Sequence, residues 1–471
     1  MKIKIFDLLY FFAVLSTVVL FFNYFPLNED SKWILHCADE MTKGAILYVD
    51  KIDVNPPLIF IYSIFAVFIS KITFLSLINS YILLVILIIC FSLYLCWKIL
   101  DDIFKDDNSK IRVYLYTISF ILFLSVSYDF GEREHLLVIF IFPYILMSMY
   151  RYEIDLPKSY IITIAIFASL GFNLKPHFFL IFVLVELIFL IHSKKLFSFL
   201  RVDFFIIVLS GFFYLLLIYF FFNEYISFMI PFAIETYTDV FNIPYITLFK
   251  NFETFTLLSI LILYICFARR KTSLQNLTLV ATIFASLVIY VIQQKGWSYH
   301  KIPFFTFSIL LLFNIFSTCP KKQIYSIVFI PLILYMMYFN TFIRHSNRHV
   351  ELKPILKEFP KDASIHILTT DIGGAQPLLN QSKQVWASRF PSLFMLPSMI
   401  KNNQKVMDYT FDSIYEDLLK YKPDIIVFPA LENRFDYFGY FTSKDERLDI
   451  FYKKYYTLRK KDNFIILYKK I

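Results

Sequence analysis

Long apolar runs separated by short charged stretches set the rhythm of the chain up to about residue 343. Runs near residues 8–25, 75–97, 113–128, 136–150, 160–174, 178–191, 204–222, 257–267, 277–292, 304–316 and 324–342 are of the size that predicts membrane-crossing helices, for which ~20 mainly apolar residues suffice. They are too long and too many for buried core helices, so residues 1–343 are expected to form a polytopic transmembrane domain with roughly eleven spans. The apolar run Pro56–Ser70 is short and is followed by Lys71, so it reads as a helix along the outer interface. Ile226–Ala233, within the long loop 223–251, reads the same way.

Basic residues mark every second loop. Lys2 and Lys4 precede the first run. Lys98, Lys105, Lys110 and Arg112, then Arg151 and Lys158, then Lys194, Lys195 and Arg201, then Arg269, Arg270 and Lys271, then Lys321 and Lys322 follow in order. The positive-inside rule puts these in the cytoplasm. The first outer loop, 26–74, and everything after residue 343 are therefore expected outside. The basic lead and apolar run at the N-terminus resemble a signal peptide but lack a small-residue cleavage site, so they read as an uncleaved span.

After about Arg344 the pattern changes. Short β-type runs at Ser364–Leu368, Asp424–Phe428 and Phe464–Tyr468, with a helical stretch at Ser413–Tyr421, predict a small extracytoplasmic α/β domain over 344–471.

Composition agrees with the pattern: 471 residues are 58% hydrophobic and 20% aromatic, with only 8 glycines and a mean hydropathy of +0.62. The net charge of +9 reports orientation and not nucleic-acid binding, because the cations sit between apolar runs. Cys37, Cys90, Cys96, Cys266 and Cys319 show no metal spacing and no disulfide framework. Heavy use of Phe, Ile and Lys is what an A+T-rich bacterial genome encodes; the expected location is a bacterial inner (cytoplasmic) membrane.

Candidate chemistry gathers on the outer side. The stretch Asn28–Leu58 holds Glu29, Asp30, Asp39, Glu40, Asp50 and Asp53. Within it Asp30–Met41 predicts an amphipathic helix with Trp33, Ile34 and Cys37 on one face, and Asp53-Val-Asn-Pro-Pro-Leu58 opens the next helix, with proline suited to its first turn. Other outer turns carry Glu132-Arg133-Glu134-His135, Lys175 and His177, and Lys295 and His300. Ionisable residues at membrane depth are functional-site hypotheses by default. Singly, Arg133 pairing within its turn, Lys175 and Lys295 snorkelling, or a hydrogen-bonded His177 or His300 would each be unremarkable. Together, cations suit an anionic lipid headgroup and a carboxylate suits deprotonation of a hydroxyl.

Asp30-Ser-Lys-Trp…Met41, with Gly44, Tyr48, Asp50, Asp53 and Asn55-Pro-Pro-Leu58, resembles the first outer loop of the GT-C glycosyltransferases. The likeness is greatest to the branch of lipid A aminoarabinose transferases and protein O-mannosyltransferases. Gly131-Glu-Arg-Glu-His135 and Lys175-Pro176 resemble further outer-turn motifs of that family. The motifs cover the first ~180 residues, and the rest agrees in architecture only.

The resemblance implies transfer of a sugar from a polyprenyl-phosphate-linked donor to an acceptor on the outer face: a cell-envelope lipid, a glycan or a protein. Asp30 falls at the family's catalytic carboxylate, with the order Glu29-Asp30 reversed from the usual Asp-Glu, so either residue fills the role. Glu132 and Glu134 share the second acidic position. Arg133, His135, Lys175, His177, Lys295 and His300 would bind the donor, and Asp53 or Glu134 the acceptor or sugar. Metal use varies across the family, so a divalent metal ion stays open as cofactor. The alternative is a lipid-linked sugar flippase or transporter, which also needs a headgroup pocket.

Overall fold

The computed structural model describes residues 4–24, 27–105, 107–238, 240–250, 254, 258, 273–317, 358–370, 384–429, 435–461 and 464–470. The chain is mostly helical, with one small C-terminal sheet. Among the described residues, five helices are long and apolar enough to cross a membrane: Ile5–Phe22, Leu77–Phe104, Pro176–Ser193, Val202–Phe221 and Leu274–Gln293. Leu58–Ile72 and Lys158–Phe172 are shorter apolar helices. The runs expected near 257–267 and 324–342 lie outside the described residues.

In chain order the helices are α1 (Ile5–Tyr24), α2 (Glu29–Met41), α3 (Leu58–Ile72), α4 (Leu77–Phe104), α5 (Asn108–Leu124), α6 (Arg133–Met149), α7 (Lys158–Phe172), α8 (Phe179–Ser193) and α9 (Val202–Phe221). Helices Leu274–Gln293 and Ile302–Ser317 follow. The boundary drawn from composition at residue 343 divides the chain by sequence; in space it forms two compact units that interleave along the chain. One comprises Met1–Asn28, Tyr81–Leu217 and Asn242–Ser346, the other Glu29–Ser80, Ile218–Phe241 and Asn347–Ile471.

The first unit is organised around α6, every residue of which is buried. It packs against α5, α7, α8, Leu274–Gln293 and Ile302–Ser317. Gly171 of α7 allows the closest approach, since a Cβ there would lie 2.8 Å from Phe140 Cβ and 3.2 Å from the Leu137 carbonyl oxygen; small residues permit such contacts between apolar helices. Pro143 lies within α6 and has no N–H to give the carbonyl four residues earlier. That carbonyl, Ile139 O, instead accepts from Ser92 Oγ of α4 at 2.8 Å.

Helix ends in this unit sort into two sets. Asp7 of α1 pairs with Arg112 of α5 at 3.1 Å, and Asp102 of α4 accepts from Asp155 N at 2.6 Å. Arg151, just past α6, bonds Asp203 of α9 at 2.7 Å, and Arg201 bonds Glu186 of α8 at 2.6 Å. The opposite ends of α6 and its neighbours carry Asp129, Glu134, Lys175 and His300.

In the second unit α2 runs Glu29–Met41 and buries Trp33, Ile34 and Cys37, the face expected from its pattern. The α3 helix starts after Pro57; at ~1.5 Å per residue its 15 residues reach about 22 Å, short of a ~30 Å hydrocarbon core. It buries Ile59, Phe60, Ser63, Ala66 and Val67 and exposes Phe65, Phe68 and Ile72. The stretch expected at Ile226–Ala233 is one helical turn flanked by π-helical turns, Tyr225–Met229 and Ile234–Thr238.

Its sheet has the order β2-β1-β3-β5-β4, with β1 Ser364–Ile367, β2 Val385–Trp386, β3 Ile425–Pro429, β4 Tyr456–Lys461 and β5 Phe464–Lys469. Strand β1 is parallel to β2 and β3, while β5 is antiparallel to β3 and β4. The expected strands are β1, β3 and β5; the two-residue β2 and the edge strand β4, which carries Arg459, Lys460 and Lys461, were not legible as strands. The expected helix at Ser413–Tyr421 begins earlier, at Gln404, where the Asn403 side chain caps Val406 N.

His366 of β1 is fully buried, and neither ring nitrogen has a hydrogen-bond partner among the described residues. Burial pushes its pKa down to about 3, against an ordinary value near 6.5 in the unfolded chain. As pH falls below that ordinary value the unfolded chain takes up a proton that the folded one refuses. The protein should therefore lose about 1 kcal/mol per pH unit between roughly pH 6 and 4 through this group. Thermal melts of the full chain in detergent over that range check this: His366→Phe should flatten the slope relative to wild type, and an unchanged slope would remove His366 as its source.

Candidate functional site

The expected site residues fall into two groups. Glu29 and Asp30 form the half-buried first turn of α2 in the second unit, where the helix N-terminus favours negative charge. Asp53 belongs to the same unit, and its Oδ1 accepts from both Asn55 N and Asn55 Nδ2 at 2.7 Å. It forms the turn that delivers the chain to Pro56, Pro57 and α3, and Tyr48 Oη closes that turn on Asn55 O at 2.6 Å.

The remaining candidates lie in the first unit. Gly131 takes φ +82°, and a Cβ there would press to 2.7 Å of the Tyr81 ring. Tyr81 Oη donates to Gly131 O at 2.5 Å. Gly131 N–H donates to His135 Nδ1 at 2.9 Å, and His135 Nε2 lies 2.8 Å from Leu122 O. With Nδ1 accepting, Nε2 must donate, so both ring nitrogens serve the backbone. His135 braces the turn; its ring has no nitrogen left for a donor lipid.

That brace fixes where α6 begins. The stretch expected as an outer turn up to His135 is already helix from Arg133, which directs Glu134 inward. Glu134 Oε1 accepts from Lys175 Nζ at 2.7 Å and lies 3.7 Å from His300 Nε2. Lys175 is extended at φ −145° ahead of Pro176, as a residue before proline prefers, and this carries its side chain to α6. Arg133 Nη2 bonds Glu132 Oε2 at 3.2 Å. The Tyr299 ring lies under both cations, 5.3 Å from the Arg133 guanidinium carbon and 5.9 Å from Lys175 Nζ. Trp297 packs on the His300 ring at 5.5 Å. Nearby, Asp129 Oδ1 accepts from Asn28 Nδ2 at 3.2 Å and from Ser298 Oγ at 3.1 Å.

Lys175 and His300 are both buried. Burial pushes the Lys175 ammonium below its usual range, and Glu134 opposes that shift. Burial also drives the His300 imidazole well below its ordinary pKa, against the pull of Glu134, so His300 is neutral near pH 7. His177 stands in electrostatic range of Lys175 and Glu134. Glu134 Oε2, His177 Nε2 and His300 Nδ1 are buried without a hydrogen-bond partner among the described residues. Buried polar atoms ordinarily have partners. The cluster therefore offers cations, imidazole nitrogens and one carboxylate oxygen to an incoming polar group.

Lys295 bonds Asn242 Oδ1 at 2.8 Å, a contact separate from the Glu134 cluster. The aromatic residues Trp297 and Tyr299 were not expected at the site; the signal was their position beside His300 in Gly296-Trp-Ser-Tyr-His-Lys301, between two apolar runs. Among the described residues no group of three or more His, Cys, Asp or Glu is placed to hold a metal ion.

Removing one partner of a buried pair leaves the other charge uncompensated, at a cost of about 3–5 kcal/mol. Glu134→Gln should thus lower the thermal midpoint of the detergent-solubilised protein more than the double variant Glu134→Gln/Lys175→Met, which removes both charges. A double variant no more stable than the single one would show that the pair is not coupled. No family model matches this chain, and neither does any curated protein.

Proposed function

We propose that this chain is an integral-membrane glycosyltransferase of GT-C type, moving a sugar from a polyprenyl-phosphate carrier to an acceptor in the cell envelope. The observation that supports it most is the buried Arg133–Glu134–Lys175–His300 cluster, in which Glu134 Oε2 and His300 Nδ1 have no hydrogen-bond partner among the described residues. A guanidinium and an ammonium side by side suit a phosphate. In the same reading the chain crosses a bacterial inner membrane about eleven times, and the first outer loop and the C-terminal domain stand outside.

Asp30 takes the proton from an acceptor hydroxyl as its oxygen attacks the anomeric carbon. The new glycosidic C–O bond forms while the bond from that carbon to the phosphate oxygen breaks. The polyprenyl phosphate leaves with the electron pair, and the anomeric configuration inverts. Arg133 and Lys175, over the Tyr299 ring, balance the charge on the departing phosphate. His300 and His177, neutral near pH 7 in this reading, donate hydrogen bonds, and Glu134 fixes Lys175 and a sugar or acceptor hydroxyl. Glu29 stands beside Asp30 as a second carboxylate of the same turn.

The test uses proteoliposomes holding radiolabelled polyprenyl-phosphate sugars and membrane lipids as acceptors. Wild type should transfer label, Asp30→Asn should lose at least ~100-fold, as loss of a general base does, and Lys175→Met should lose activity as well. Label that crosses the bilayer unchanged in both wild type and Asp30→Asn would make the protein a flippase.

A further inference from the structure

Lys51 is the most unusual charge in the second unit. It follows the outer-loop acids in sequence, yet only 1% of it is exposed. Among the described residues no carboxylate is within ion-pair distance of it. Its ammonium donates to Ser388 O at 3.0 Å and lies 5.8 Å from the ring centres of both Trp33 and Tyr421. A lysine so deeply buried is rare unless something holds it. Here one carbonyl and two π-faces do so, and cation–π contacts strengthen when desolvated.

The three partners come from three distant parts of the chain. Trp33 is on α2, Ser388 follows β2, and Tyr421 ends the helix Gln404–Tyr421. The contacts around Lys51 run the same way. Ile52 N–H donates to Arg389 O at 2.8 Å, Asp50 pairs with Lys420 at 2.8 Å, and Trp33 meets Trp386 of β2 at 6.5 Å, edge to face. Arg389 is itself fixed by Asp417 at 2.9 Å. The first outer loop and the C-terminal sheet thus share one buried seam, with Lys51 at its centre.

We propose that Lys51 is a positioning residue that pins α2, and with it Glu29 and Asp30, to the C-terminal α/β domain, making that domain part of the machinery that sets the catalytic acid. The functional half rests on the reading of Asp30 as general base; the structural half does not. Lys51→Met keeps the apolar stem and removes the hydrogen bond and both cation–π contacts, while Lys51→Arg keeps a cation.

The experiment compares full-length wild type, Lys51→Met and Lys51→Arg in nanodiscs by hydrogen–deuterium exchange and by sugar transfer from polyprenyl-phosphate donors. In Lys51→Met the amides of residues 29–41 should exchange roughly tenfold faster or more while those of 133–149 stay unchanged. Transfer should lose at least ~10-fold in kcat with donor KM within about threefold, and Lys51→Arg should recover part of both. Unchanged exchange in residues 29–41 would overturn the proposal, and so would faster exchange with unaltered kcat. Should wild type transfer no sugar from any donor, the glycosyltransferase reading falls and the exchange data alone decide whether Lys51 holds α2. Tyr421→Leu removes one ring and leaves the lysine in place; it should loosen 29–41 to an intermediate degree, which supplies the same decision if Lys51→Met does not accumulate.

Discussion

A helix with no solvent-facing side must carry its charges at its ends and pair them there, and α6 obeys this constraint at both. Past its last turn, Arg151 and Arg201 meet Glu186 and Asp203, and all four carboxylate oxygens are engaged. Glu186 accepts from Tyr144, Arg151 and Arg201, and Asp203 from Arg151 and Arg201. At its first turn Glu134 has one oxygen on Lys175 and the other without a partner among the described residues. Both clusters set carboxylates against cations at an end of α6. Carboxylate satisfaction separates them: the first has both carboxylates fully engaged and reads as a fastening between α6, α8 and α9, while the second keeps a carboxylate oxygen for another polar group.

The backbone of the first unit is arranged so that α6 can occupy this position. Proline in a buried helix leaves a carbonyl four residues back without its donor, and Ser92 supplies that donor from α4. Gly171 lets α7 lie against the α6 backbone. At the start of α6, Gly131, Tyr81 and His135 hold one turn through three hydrogen bonds. Together these contacts fix where Glu134 points, and Lys175 meets it because Pro176 holds the preceding residue extended. A side chain that merely neutralised a span end would not need so many supports.

Much of this was legible locally. The pattern of α2, the helix opened by Asn55-Pro-Pro-Leu58, most apolar helices and three of five strands follow from spacing and turn chemistry. Among the site candidates, Glu134, Arg133, Lys175 and His300 are brought together, although they lie on three separate turns. One other, His135, has both ring nitrogens on backbone groups of the Gly131 turn and Leu122, while Asp53 accepts from Asn55 in the turn before α3. Residue type alone does not distinguish an imidazole facing a cavity from one spent on two backbone groups, because the difference lies in φ at Gly131 and in the position of Leu122 O. The helix start at Arg133 was placed too late for the same reason, since charged residues in a first turn look like loop. Trp297 and Tyr299 were passed over because aromatics are common at span ends, whatever they pack on.

The pairing of the segment 29–57 with the C-terminal sheet had no local signal, because Lys51 and the carbonyl it binds are 337 residues apart. That separation has a consequence for assembly. The helices of the first unit that surround α6 include its neighbours in sequence, α5, α7 and α8, so much of that packing forms from local contacts. The loop carrying Trp33, Lys51 and Ile52 finds its buried partners only once Trp386, Ser388, Arg389 and Tyr421 are present, and long-range contacts of this kind form late. Until then a lysine and a tryptophan destined for the interior stay open to water. The acidic turn of α2 is therefore set in place by the last quarter of the chain, so Asp30 acquires its final surroundings only when the sheet has folded.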